Sequence, residues 1–259
     1  MTDPDSAVLY TSAGHVAVIT INRPEARNAV NTAVAQGIEA AIDRLESDPS
    51  LWVGVLTGVP PVFSAGADLK DINAGRREML RTERGGFAGF VARNRIKPVI
   101  AAVDGPALAG GVEMCLACDL IVASHDARFG IPEVKRSLVA AAGGLFRLPR
   151  KIPFNIAMEM ALTGEPIDAV RAFGFGLVND LVEPGQALHR AIELASLIEA
   201  NAPIAVQASR RVMLASHLGD ESTAWRLSAD AMSEAMSSVD MKEGLAAFIE
   251  KRSPNWTGR

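Results

Sequence analysis

Ile100-Ala101-Ala102-Val103-Asp104-Gly105-Pro106-Ala107-Leu108-Ala109-Gly110-Gly111-Val112-Glu113-Met114-Cys115-Leu116-Ala117-Cys118-Asp119 is the stretch whose reading decides the fold. It predicts a short buried strand over Val99 to Val103, a Gly/Pro turn, and a helix opening at Gly110-Gly111. Glycine carries no Cβ, so backbone there can come close to a bound group. A helix start offers unpaired N–H groups and a partial positive charge. Glu113 falls one turn into that helix, and residues three apart share a helix face. The Gly110 N–H and the Glu113 carboxylate can therefore serve one bound molecule. An N–H donor beside a carboxylate suits enolate or oxyanion chemistry.

Upstream, Val8 to Tyr10 and Val16 to Ile21 predict a hairpin around Ala13-Gly14, the second run β-branched and nearly continuous in apolar character. A helix follows, with Val34, Ile38, Ala41, Ile42 and Leu45 at helical spacing and Asn31 or Thr32 as its cap. Trp52 to Thr57 is the next strand. After the turn Gly58-Val59-Pro60-Pro61, residues 62–70 read as a small-residue loop feeding a helix N-terminus, a second candidate N–H site. Residues 73–85 are charged and read as a mobile surface segment. Phe87, Phe90 and Val91 open an amphipathic helix that ends before Lys97-Pro98.

Downstream, Leu120 to Ala123 and Ala127 to Gly130 read as extended, and Ile131-Pro132-Glu133 places a carboxylate directly after a proline turn. From Gly143 onward the pattern is helical, with segments at 144–151, 153–162, 167–173, 186–200, 203–217, 221–236 and 239–251. Strand–helix units thus fill the first half and helices the second, with the switch near residue 150.

The 259 residues, 49% hydrophobic and 22% charged, suffice for one large α/β domain, or one domain with a smaller helical part. A net charge of -4 argues against a nucleic-acid or anionic-membrane partner. Met1 to Ser6 lack the basic and apolar regions of a signal peptide, and no apolar run approaches a span of roughly 20 residues. The expected location is the cytoplasm. Cys115 and Cys118 form C-x-x-C inside an apolar helical run, which reads as two buried cysteines. His15, His125, His189 and His217 are scattered, and no metal is expected.

Five motifs resemble the crotonase (enoyl-CoA hydratase/isomerase) superfamily. They are Ile21-Asn22-Arg23-Pro24-Glu25-Ala26-Arg27-Asn28-Ala29; Phe63 to Lys70; Ala107 to Glu113 running into Cys118-Asp119-Leu120-Ile121; Phe129 to Val134; and Glu243 to Arg252. The resemblance covers nearly the whole chain. It implies an α/β fold, a spiral of ββα repeats with the acyl-CoA site over residues 1–195, and a C-terminal helical region over 196–259 used in trimer assembly. It implies a homotrimer or a dimer of trimers. It implies an acyl-CoA thioester substrate and no separate cofactor, CoA being part of the substrate.

By motif position, the resemblance makes the Ala67 and Gly110 N–H groups the oxyanion hole. Glu113 and Glu133 become the catalytic pair, Glu113 acting on water and Glu133 on the proton at C2. It marks Ala65, Asp68 and Lys70 as CoA contacts, with Phe248 and Lys251 reaching the CoA of a neighbouring subunit and Arg23 and Arg27 as looser phosphate partners. The function so implied is an enoyl-CoA hydratase. The rival readings are an enoyl-CoA isomerase, which needs one glutamate, and a non-catalytic acyl-CoA-binding homologue. The chain departs from the family pattern at Leu138 to Leu145, at Ala109 in place of a glycine, and at Asp104 in place of an asparagine.

Overall fold

The computed structural model describes residues 6–217 and 219–259. The polar residues 1–5, on which most of the signal-peptide reading rests, lie outside the described residues. In order, the elements are β1 (Val8–Ala13), β2 (Val16–Ile21), α1 (Thr32–Ser47), β3 (Val53–Gly58), α2 (Leu69–Asn73), β4 (Arg81–Thr82), β5 (Gly86–Phe87), β6 (Val99–Val103), β7 (Pro106–Leu108) and α3 (Gly110–Ala117). There follow β8 (Leu120–Ser124), β9 (Arg128–Gly130), α4 (Gly144–Lys151), α5 (Phe154–Thr163), β10 (Ile167–Asp168), α6 (Ala169–Gly174), β11 (Asp180–Val182), α7 (Ala187–Glu199), α8 (Pro203–Ser216), α9 (Glu221–Ser237) and α10 (Val239–Glu250).

The main sheet runs β1-β2-β3-β6-β8-β11, antiparallel only at the β1–β2 hairpin. A second sheet, β10-β9-β7, lies beside it. Its β7 and β9 run parallel, and a bridge from Ser64 to Ala107 extends it towards the residues after β3. Each turn of the chain therefore lays one strand in the large sheet, adds an extended piece to the small one, and closes with a helix. That is the ββα spiral. The inner strands are mostly apolar, and β3 and β6 are buried at every position, as strands covered on both faces must be, with the Thr57 hydroxyl of β3 satisfied by the Ala102 carbonyl at 2.9 Å. One face packs against α1 through Val34, Ile38, Ile42 and Leu45. Ala187, Ala191 and Ala195 of α7 cover the other, against Val53, Val55, Ile100 and Val122.

Asn31 caps α1, its side chain accepting from the Val34 N–H at 2.9 Å. Asp104 accepts from the Gly185 and Ala187 N–H groups at 2.9 and 3.3 Å, so it anchors the entry to α7.

Three expectations give way. The helix from Phe87 is absent. Gly86, Ala88 and Gly89 all take positive φ, and a Cβ on Gly89 would lie 2.2 Å from the Ala35 carbonyl oxygen. The chain instead turns tightly and sets the Phe87 ring against Gly110. The segment 73–85 is held rather than loose: Leu80 is buried, Thr82 bonds Glu39 at 2.8 Å, and Arg84 bonds Asp43 at 2.6 Å. The second half is not wholly helical, because β10 and β11 join the two sheets. Each is two or three residues long, too short for a period-2 signal.

Beyond the sheets, α8 and α9 pack on each other and α10 follows. Apolar side chains stand exposed there, among them Met213, Trp225, Met232, Met236, Phe248 and Ile249. The last residues fold back: buried Asp240 accepts from the Thr257 and Gly258 N–H groups, both at 2.8 Å. Among the described residues no helix is long and apolar enough to cross a membrane.

Candidate active site

A cleft of about 950 Å³ opens where the two N–H-bearing loops meet. The first loop, after β3, is held by buried groups. Asn28 donates to the Val59 and Val62 carbonyls at 2.8 and 2.6 Å, and the Ser64 hydroxyl donates to the Asn28 carbonyl at 2.8 Å. Gly66, at positive φ, lies so close to the second loop that a Cβ would sit 2.7 Å from the Gly110 nitrogen. That contact brings Ala67 and the start of α3 side by side. The Val30 N–H donates to Gly66, and the Asp68 N–H donates to Val30. Among the described residues, neither the Ala67 N–H nor the Gly110 N–H has a protein acceptor. Both residues line the cleft.

Ala109 precedes α3 at φ 51, ψ -126. This left-handed conformation strains a residue with a Cβ by about 1–3 kcal/mol. The fold holds it there through the Ala109 N–H on Gly130 at 2.8 Å and the Glu113 N–H on the Ala109 carbonyl at 3.2 Å.

Glu113 is 3% exposed. Its Oε1 accepts from the Ala142 N–H at 2.7 Å and the Gly144 N–H at 2.9 Å. Burial pushes the carboxyl up to about 7, with the Gly144 N–H opposing; the Glu133 charge adds to the rise, and the Ala142 N–H and Arg147 oppose it. Glu133 sits in the short 3₁₀ segment Pro132–Arg136 and lines the same cleft. Burial raises its carboxyl too, and its Oε2 is buried with no hydrogen-bond partner among the described residues. Two carboxyls with raised proton affinity thus face one cleft beside two donors without acceptors.

The structure brings Ala65, Ala67, Asp68, Lys70, Gly110, Glu113 and Glu133 to the cleft, with Arg23 and Arg27. The Asp68 carboxylate is already engaged: it accepts from Arg23 at 3.0 Å and caps α2 through the Lys70 N–H at 3.0 Å. Phe248, 84% exposed at the end of α10, and Lys251 just beyond it do not line the cleft of their own chain. Cys115 and Cys118 are free and buried, and burial pushes the Cys118 thiol up to about 12. No cluster of three or more His, Cys, Asp or Glu fit to hold a metal occurs among the described residues.

Ala142 and Gly144 lie in the stretch Leu138 to Leu145 that departs from the family pattern, but their hold on Glu113 has no mark in the sequence, because they act through backbone N–H groups. A second, apolar cavity of about 360 Å³ adjoins the cleft, sharing Glu133 and Val139 and lined further by Leu145, Leu148, Phe154 and Met158.

The family model for enoyl-CoA hydratase/isomerase matches residues 11–259. The chain is 40% identical over 263 residues to the enoyl-CoA hydratase EchA19 of Mycobacterium tuberculosis, covering 99% of this chain and 97% of that protein. It is 35% identical to the 2,3-dehydroadipyl-CoA hydratase of Escherichia coli, covering 98% of this chain and all of that one (100%). Among solved structures, an enoyl-CoA hydratase from Mycobacterium tuberculosis H37Rv superposes with a TM-score of 0.95 at 49% identity, covering 98% of this chain and 100% of that one.

Proposed function

The chain belongs to the enoyl-CoA hydratase/isomerase family, and on that footing we propose that it adds water to trans-2-enoyl-CoA thioesters to give 3-hydroxyacyl-CoA. The observation that carries this reading is the meeting of Glu113 and Glu133 in one cleft with the acceptor-free N–H groups of Ala67 and Gly110. The thioester carbonyl oxygen takes both N–H bonds. These strengthen as negative charge builds there, which polarises the conjugated double bond and makes C3 electrophilic. Ionised Glu113 removes a proton from water as its oxygen bonds C3. Protonated Glu133 delivers a proton to C2 of the resulting enolate. Water is thereby split across C2 and C3, and exchange of the two proton positions through solvent restores the enzyme. Burial raises the proton affinity of both carboxyls, so one can be ionised while the other holds its proton near neutral pH; the assignment of water to Glu113 and of the C2 proton to Glu133 follows the family motif.

Lys70, Arg23 and Arg27 line the outer cleft and suit the CoA phosphates, with Ala65 and Asp68 shaping the wall beside them. The apolar chamber behind Glu133 and Val139 suits the acyl tail. The exposed apolar side chains of α8–α10 support assembly of the C-terminal region, residues 196–259, into a homotrimer or a dimer of trimers, in which Phe248 and Lys251 reach a neighbour's CoA. The enzyme is read as cytoplasmic, using no cofactor beyond the CoA of its substrate. Sedimentation giving a monomer at micromolar concentration would remove the assembly. The test of the activity is loss of the enoyl-thioester absorbance with crotonyl-CoA and longer trans-2-enoyl-CoAs. Loss with wild type and not with Glu133→Gln is expected. No loss at any chain length, alongside measurable binding, would overturn hydration.

A further inference from the structure

Arg147 lines the cleft and has none of the roles above. Its Nη2 donates to the Val91 carbonyl at 2.6 Å, and its Nη1 makes a long bond of 3.4 Å to the Ala142 carbonyl. Ala142 is thus held from both sides, its carbonyl by Arg147 and its N–H by Glu113. Residue 143 takes φ +110°, which favours glycine, and without a Cβ there the guanidinium passes close, the missing atom lying 2.3 Å from Nη1. Val91 belongs to the turn that sets Phe87 against Gly110, whose own Cβ would fall 2.3 Å from the ring. One side chain therefore ties the segment packed on the Gly110 donor to the loop that grips Glu113.

We propose that Arg147 is a positioning residue for Glu113: bridging Val91 and Ala142, it holds residues 142–144 so that their N–H groups fix Oε1 and leave Oε2 to the substrate water. Oε2 accepts no hydrogen bond among the described residues. The inference rests on the hydratase reading for its consequence in catalysis, and on geometry alone for the clamp. The charged groups acting on Glu113 are Glu133 and Arg147. Those acting on Arg147 are Glu113, Arg95 and Arg150, with the buried Cys118 thiol beside them neutral. Arg147 is burdened by burial yet stays protonated, as guanidinium does.

The experiment compares Arg147→Gln and Arg147→Lys in the full chain, alone and combined with Glu113→Gln. In Arg147→Gln, kcat falls by about tenfold to a hundredfold, as loss of placement does, while KM stays close to wild type. Its acidic limb moves to higher pH, because the cation that favours ionised Glu113 is gone. Arg147→Lys restores the position of that limb. In the Glu113→Gln background, Arg147→Gln produces no further loss. An unchanged limb with unchanged kcat, or a full multiplicative loss in the Glu113→Gln background, overturns the proposal. So do losses in both Arg147 variants that merely track Tm. Infrared titration of the carboxyl band that Glu113→Gln removes needs no turnover. A band shifted in frequency or broadened in Arg147→Gln, as loosened N–H bonds to Oε1 produce, upholds the clamp even where hydration itself is not found, and a band unchanged in frequency and width sinks it whatever its midpoint.

Discussion

The two walls of the cleft hold their carboxylates in opposite ways. Glu113 stands on a buried helix with one oxygen gripped by two N–H groups. Glu133 stands on a short 3₁₀ segment between Pro132 and Ser137, with a buried oxygen that has no hydrogen-bond partner among the described residues. The first wall fixes where a carboxylate is. The second leaves an unmet hydrogen-bonding demand facing the substrate, which a proton or a bound partner relieves. A fixed acceptor and an unsatisfied one are a fitting division between activating water and passing a proton to carbon.

The largest expected effect breaks the comparison outright. Glu113→Gln and Glu133→Gln each lower kcat for crotonyl-CoA hydration by about 10²- to 10⁴-fold, the usual worth of a general base or acid. Stopped assays would read this, and near-wild-type turnover in either variant removes that residue from the chemistry. Next in size is stability. The Glu113 carboxyl, raised to about 7, binds its proton more tightly folded than unfolded. Its contribution to stability therefore falls as pH rises from the ordinary carboxylate range to about 7, by up to about 3 kcal/mol. Glu113→Gln should gain on wild type by that order between pH 4 and pH 8 in urea unfolding. By the same shift, wild-type hydration should rise with pH on an acidic limb near 7.

A smaller effect probes the Glu133 wall. Val139 is 64% exposed at the rim shared by the two cavities. Val139→Phe should cut kcat/KM for a ten-carbon enoyl-CoA by about tenfold and leave crotonyl-CoA within about twofold, since blocking a pocket costs only what would fill it. Smallest is Ala109→Gly on the Glu113 wall. Relief of the positive φ should exceed the added chain entropy and raise unfolding stability by about 1 kcal/mol, with little change in rate.

How much of this was legible in sequence depended on what each residue contributes. The β6 strand, the Gly110 helix start and Glu113 were readable because apolar runs, glycines and a lone acid in an apolar helix each leave a local mark. Glu133 was visible only after Pro132 and through the family motif. The turn at 86–92 was misread as a helix because Phe87, Phe90 and Val91 have helical spacing, while the backbone that forbids it answers to a contact with Ala35 far away in sequence. The short strands β7, β10 and β11 exist by pairing with distant partners and carry no period of their own. Ala142 and Gly144 work by amides that every residue but proline has, so composition cannot distinguish them.

The same property of the Ala67 and Gly110 donors shapes what mutagenesis can see. Both belong to the main chain, so exchanging the side chain at either position leaves the N–H in place unless the new residue is proline. An alanine scan of the cleft would report on Glu113, Glu133 and Lys70; Ala67 is already alanine, and Gly110→Ala would drive a Cβ into the Phe87 ring and report that clash rather than the donor. Replacing one amide by an ester, which keeps the backbone and deletes a single hydrogen, is the perturbation to which they answer.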